Sequence, residues 1–393
     1  MKIKLFLTLT LIITSINFYS QEINLNQGFT EQKDYFITIP YTEIQGKIII
    51  EILLNNKNRK FVVDTGAPTS ITEKLVHDLN PNKLGKINVR DQSGAIDSAS
   101  VVSLSEIKFG IISFKNIPTI VTKDLIFYDC IQVDGLIGSN LLRNTAIQFN
   151  SRNKTITLTD NPKKLNLKNK YSDDIVLNKN QSSPFVSIKL KKDNIIANEK
   201  VLFDTGNDSF YDLSISVFKQ LLDKAVVFDK LAESNGTFTF GLYGAAGIQH
   251  QYLLNIPKLE MNKISFQNVL TSTTYGNTSR IGSSIFKYGI ITIDYINKKF
   301  NINPFDEVTK IDLKEKCWAI EPTFKDEKTV VGIIWEDSLN EKINLGDEIL
   351  KFNEIDYQNM NFCDIYLSSN KSEKEKATVL LKDIKTGAIK SIE

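Results

Sequence analysis

The chain has 393 residues, enough for two or three domains at roughly 100–200 residues each. Its hydrophobic fraction of 41% and charged fraction of 24% are those of an ordinary globular protein, and 19 Gly and 9 Pro exclude a collagen-like or low-complexity chain. Lys+Arg 48 against Asp+Glu 46 leaves a net charge of +2, which gives no basic field for nucleic acid, while two His and three Cys supply neither a disulfide-rich scaffold nor a His- or Cys-based metal site.

The N-terminus opens on Met1-Lys2-Ile3-Lys4, continues with an apolar run over 5–18 and reaches a small residue at Ser20. That order predicts a secretory signal peptide over residues 1–20 and an exported protein, periplasmic or extracellular, beginning near Gln21. No Cys follows the run to carry a lipid anchor, and no other stretch has transmembrane length. Residues 21–38 read either as the first strand of a lobe or as a leader segment.

From Lys47 onward one unit is used twice. The first copy runs Lys47-Ile-Ile-Ile-Glu-Ile-Leu-Leu, a polar turn, then Phe61-Val-Val-Asp64-Thr65-Gly66-Ala67. The second runs Pro184-Phe-Val-Ser-Ile-Lys-Leu, a polar turn, then Val201-Leu-Phe-Asp204-Thr205-Gly206-Asn207. Each predicts a β-hairpin whose second strand ends on Asp-Thr-Gly. A short amphipathic helix follows in each, over 73–79 and 216–222. Gly-containing hairpins come next, with Gly94 in the first copy and Gly241, Tyr243 and Gly244 in the second. An Ile-Ser-Phe-x-Asn strand-turn-strand recurs at Ile112 and Ile264. Each copy closes on an apolar-Gly element, Leu136-Ile137-Gly138-Ser and Arg280-Ile281-Gly282-Ser, and a last hairpin. The Lys- and Asn-rich stretch 160–174 reads as a linker or edge segment between the copies. Beyond Pro304 the pattern changes, and 306–393 reads as a separate small domain. Cys317 and Cys363 share that region; they can pair or stay as free thiols, like Cys130.

Glycine lets an Asp-Thr-Gly turn take a tight path, and the turn presents its carboxylate at a loop tip with backbone N–H groups to hold it. The Thr hydroxyl can reach across to a partner loop. Duplicated lobes pack about a pseudo-two-fold axis, so equivalent loops meet on it and Asp64 faces Asp204. Facing carboxylates do not both ionise readily, because like charge raises one macroscopic pKa. One proton is then shared: one carboxylate can activate a water as base, the other can protonate a substrate carbonyl as acid. This is peptide hydrolysis without metal or cofactor.

These units resemble the retropepsin branch of the aspartic proteases. The resemblance rests on Phe61–Ala67, on 201–207 and on Gly135-Leu136-Ile137-Gly138-Ser139-Asn140-Leu141-Leu142, and it covers residues 40–305. It implies a mainly β fold with two pseudo-symmetric lobes, 21–160 and 161–305, fused where retroviral enzymes dimerise. It implies catalytic Asp64 and Asp204, loop support from Thr65, Gly66, Thr205 and Gly206, and an apolar-Gly element cradling each loop. It also implies substrate-binding flaps, with Gly94 and with Gly241, Tyr243 and Gly244 as candidates. The C-terminal piece is similar to a PDZ domain, a small α/β fold, on Leu345-Gly346-Asp347-Glu-Ile-Leu and its strand pattern; that implies peptide or protein docking. Three departures stand out: Arg280 takes the place of Leu136, the Asp134-Gly135 turn becomes Thr278-Ser279, and Asn207 replaces Ala67, with Asp208 adding a further carboxylate beside the loop. The expected function is a secreted aspartic endopeptidase acting on peptides or proteins; the alternative is an inactive protease-like binding or scaffold protein.

Overall fold

The computed structural model describes residues 23–91, 94–237, 240–241, 244–245, 247–313, 318–368 and 378–392. Residues 1–20, the expected signal peptide, lie outside them, as do Tyr243 and Cys317. The fold is mainly β, with two similar lobes and a smaller C-terminal sheet. No helix among the described residues is long and apolar enough to cross a membrane.

Alternation along Lys47–Leu54 buries Ile48, Ile50, Ile52 and Leu54 on one face, as a strand of period two requires. This strand pairs with Lys57–Asp64 across Asn55 and Asn56, both at positive φ, a conformation that Asn tolerates well. The second lobe repeats the device with Pro184–Lys192 and Ile195–Phe203. In each lobe the second hairpin strand pairs in parallel with the apolar-Gly strand, Gly135–Gly138 in one and Arg280–Ile281 in the other. The helix Glu73–Leu79 falls on its expected residues, and Thr72 Oγ1 caps it by accepting from Leu75 N at 3.2 Å. Its counterpart, Ile215–Lys224, is longer than expected and is capped by Ser214.

A third, six-stranded sheet belongs to both lobes. Phe36–Pro40, Thr155–Thr159 and Ala146–Asn150 come from the first lobe; Gly289–Asp294, Lys299–Pro304 and Ser172–Asp174 come from the second. The lobes join where Ala146–Asn150 runs antiparallel to Gly289–Asp294. Phe36–Pro40, from the segment left open as strand or leader, is an edge strand of this sheet. Residues 160–174 contain two short 3-10 turns and the other edge strand. One continuous apolar core, including Phe61, Phe149, Phe203, Phe286 and Phe300, runs through both lobes.

The C-terminal region folds around its own core of Ile320, Val331, Ile334, Ile343, Ile349, Val379 and Leu381. It touches both lobes. The helix Phe362–Ser368 packs on the first lobe's helix Ile126–Ile131, where Phe127 meets Phe324, Phe362 and Tyr366 at centroid distances of 6.3, 5.2 and 5.1 Å. Cys363 is not paired within its own region: a disulfide joins it to Cys130. On the other side, Thr237 N donates to Gly332 O at 3.0 Å, and Ile333 and Trp335 pack on Leu253 of the second lobe.

Candidate active site

Asp64 and Asp204 each end a hairpin strand and turn into Thr-Gly. Gly66 N and Ala67 N donate to Asp64 Oδ1 at 2.9 and 3.1 Å; Gly206 N donates to Asp204 Oδ1 at 3.1 Å. The backbone thus aims each carboxylate. The two Thr side chains bind the loops together. Thr65 N donates to Thr205 Oγ1 and Thr205 N to Thr65 Oγ1, both at 3.1 Å. Thr65 Oγ1 donates to Phe203 O at 2.6 Å, and Thr205 Oγ1 to Val63 O at 2.7 Å. All four bonds cross between lobes, and both Thr residues are fully buried.

Close approach explains both glycines. A Cβ on Gly66 would sit 2.5 Å from Asp204 Cγ, and one on Gly206 would sit 2.4 Å from Asp64 Oδ2. Each loop therefore lies against the other lobe's carboxylate. The two carboxyl groups share a hydrogen bond, and burial, followed by the charge of Asp204 and that bond, holds the Asp64 carboxyl well above the ordinary range. The Lys47 charge opposes this rise without cancelling it.

The apolar-Gly strands support both loops from the same side. Gly138 pairs with Asp64 and Ser139 N donates to Ala67 O at 3.1 Å. Asp204 N donates to Ile281 O at 2.9 Å and Ser283 N to Asn207 O at 2.7 Å. Ser139 Oγ also donates to Thr65 O at 2.7 Å and meets Tyr295 Oη at 2.8 Å.

Several residues at the site were not singled out as functional from sequence. Lys47 Nζ donates to Gly206 O at 2.5 Å, and Ser183 Oγ and Gln181 Nε2 both donate to Gly66 O at 3.2 Å. Arg280 Nε lies 3.6 Å from Asp204 Oδ2. Asp212 Oδ2 accepts from Asn207 Nδ2 at 2.6 Å. Hairpin register could have found Lys47 and Ser183, since each falls opposite a loop Asp on the neighbouring strand.

The flap candidates lie on hairpins. Gly94 lies in the turn joining Asn82–Arg90 to Ile96–Phe109, at φ +85°, with open space where a Cβ would be. Gly241 and Gly244 pair across a two-stranded hairpin. No hydrogen bond among the described residues joins Gly94, Gly241 or Gly244 to either Asp.

Residues 50–141 match the aspartyl protease family. The match takes in Asp64, its loop and the Gly138 cradle. A search of curated proteins finds no match. Among solved structures, the chain is similar to a retropepsin-like aspartic protease from Rickettsia conorii, at 22% identity over 34% of this chain and 93% of that one, with a TM-score of 0.25. It is also similar to conglutin gamma, a unique basic 7S globulin from lupine seeds, at 12% identity over 69% of this chain and 96% of that one, with a TM-score of 0.40.

Proposed function

We propose that the chain is an aspartic endopeptidase in which Asp64 and Asp204 act as one dyad. The observation that carries this reading is the mutual insertion of the two Asp-Thr-Gly loops, each glycine lying against the opposite carboxylate. The aspartyl protease match over residues 50–141 supports it. Two carboxyls sharing one proton offer a base and an acid about a single water, which is what amide hydrolysis without a covalent intermediate needs. A polypeptide substrate is the reading we favour, and Gly94 and the Gly241–Gly244 hairpin are the candidate covers over it. The region after 305, similar to a PDZ domain on its sequence, is proposed to bind or dock a peptide or protein. We also propose export to the periplasm or the outside of the cell; a disulfide such as Cys130–Cys363 suits an oxidising compartment.

The test is digestion of a mixed peptide library by the purified full chain, read by mass spectrometry. Cuts at internal peptide bonds that disappear in Asp64→Asn and in Asp204→Asn are expected. Absence of cuts, or cuts that persist in either variant, would overturn the reading.

A further inference from the structure

The surroundings of the two carboxylates differ in charge at one register position. In the first lobe, Ser70 pairs with Leu136 where strand Ser70–Thr72 runs beside Gly135–Gly138. In the second lobe, the equivalent pair is Asp212 and Arg280. An uncharged residue pair is thus replaced by an acid and a base directly beside one of the two loops. The Arg280 side chain is 15% exposed and that of Asp204 is 13% exposed, with Nε 3.6 Å from Oδ2. At that separation and burial, solvent screens the pair far less than at an open surface. Arg280 also acts on Asp212, which burial raises and the guanidinium lowers. The guanidinium therefore acts on two carboxylates of the same lobe, and Leu136 holds the matching register position in the first lobe.

We propose that Arg280 is a positioning residue that places the negative charge of the dyad on Asp204 and its proton on Asp64. The inference rests on the reading of the pair as a hydrolytic dyad and adds an order of roles to it. Asp204 then takes a proton from the water as its oxygen bonds the carbonyl carbon, and Asp64 gives its proton to the carbonyl oxygen. A neutral gem-diol results. In its collapse the C–N bond breaks, Asp204 passes its proton to the departing nitrogen, and a diol hydroxyl returns a proton to Asp64. The starting charges are restored, and no other reactant is needed.

The other groups around the pair act as follows. Lys47, on the strand opposite Asp64, favours charge on Asp64. Its ammonium, however, is held on the carbonyl of Gly206 at 2.5 Å. Burial and the Asp204 charge outweigh it, and the Asp64 carboxyl stays raised. Tyr128 and Tyr295 face Asp64, and burial raises both phenols, so they remain neutral. Asp208 adds negative charge on the Asp212 side, which Arg280 offsets.

The test uses the full chain as wild type, Arg280→Leu, Arg280→Lys and Asp212→Ser/Arg280→Leu. The double variant gives the second lobe the uncharged pair of the first, so it avoids leaving Asp212 buried beside an apolar side chain. Two measurements are made: the pH profile of kcat/KM on one peptide, and carbon NMR titration of Asp carboxyls assigned with Asp64→Asn and Asp204→Asn. Loss of the cation disfavours each negative charge added to the dyad. Both limbs should move to higher pH by about one unit in Arg280→Leu and in the double variant, and Arg280→Lys should stay near wild type. In wild type the more acidic step should appear on the Asp204 carbon and the more alkaline step on Asp64. Limbs that stay put while kcat falls, or an acidic step on Asp64, would overturn the assignment. NMR steps that follow this order in a protein that cuts no peptide would support the Arg280 assignment and refute the protease reading.

Discussion

Lys47 and Ser183 hold the same place in the two lobes, two residues before Ile49 and Phe185, whose partners are Val62 and Leu202. Each donates to the glycine carbonyl of the opposite Asp-Thr-Gly loop, at 2.5 and 3.2 Å. The shared job is backbone support, but one donor is a cation and the other a hydroxyl. Two residues further back, Gln181 adds a second bond to Gly66 O, whereas Gln45 turns to the C-terminal helix and donates to Tyr366 O and Leu367 O at 2.9 and 2.8 Å. The comparison separates what the fold demands from what it leaves open. Thr65 and Thr205 must match because each completes the other's hydrogen bonds. The side chains one shell out need only supply a donor or fill space, and there the lobes diverge in charge.

The sharpest way to test whether the lobes act as one site is to disable each in turn. Asp64→Asn and Asp204→Asn are each expected to lower kcat by about 10³-fold or more, with the double variant little worse, as for groups that act as a unit. Steady-state assays on a peptide cut by wild type check this. A tenfold difference between the two single variants would show that one carboxylate carries most of the chemistry.

Next in size is the Thr pair. Thr65→Val and Thr205→Val each remove a buried hydroxyl that accepts one bond and donates another across the lobes. Leaving a buried N–H and C=O without that partner costs about 2–4 kcal/mol, and the symmetric geometry predicts nearly equal losses. Urea unfolding measures both. Unequal losses would mean that the lobes share the geometry but not the dependence on it.

The disulfide breaks the symmetry from outside, since it ties the C-terminal region to the first lobe alone. Removing it in Cys130→Ala/Cys363→Ala is expected to cost about 2–3 kcal/mol, because the cross-link limits a long loop in the unfolded chain. Thermal unfolding with and without reductant checks it: reductant should lower the wild-type midpoint and leave the variant unchanged.

How far the sequence reaches can be judged from the same residues. The strand pattern along Lys47–Leu54, the amphipathic stretch 73–79 and the repeated Asp-Thr-Gly are local signals, and local signals are readable. Asp64 and Asp204 were paired by the logic of duplication alone. The bridge between Cys130 and Cys363 was not readable, because it depends on where the C-terminal sheet docks rather than on spacing. The neighbourhood of Arg280 was half readable: its departure from Leu136 is visible in the repeat, but its partners Asp204 and Asp212 lie on other strands. The edge strand Phe36–Pro40 stayed ambiguous because its partner, Thr155–Thr159, is more than a hundred residues away and its own burial merely alternates between partial and exposed.

The smallest effect sharpens the comparison most, because its sign should differ between the lobes. The folded state raises the Asp64 carboxyl through burial and the Asp204 charge, while the unfolded chain returns it to the ordinary range near pH ~4. Below that range both states hold the proton and Asp64 costs nothing. As pH rises above it, the unfolded state gives up its proton first, so the native state loses stability up to the raised native value. Asp64→Asn cannot ionise and escapes this loss. Its stability advantage over wild type should be absent near pH 4 and grow to roughly 1–3 kcal/mol at neutral pH. Asp204→Asn lifts part of the rise at Asp64 but also removes the carboxylate that faces Arg280 at 3.6 Å; the second effect should outweigh the first and leave a net loss of about 1 kcal/mol. Urea unfolding of the three proteins between pH 4 and 8 decides it. A pH-dependent gain in both variants would show that repulsion within the pair, and not the lobe in which each Asp sits, sets the stability of the site.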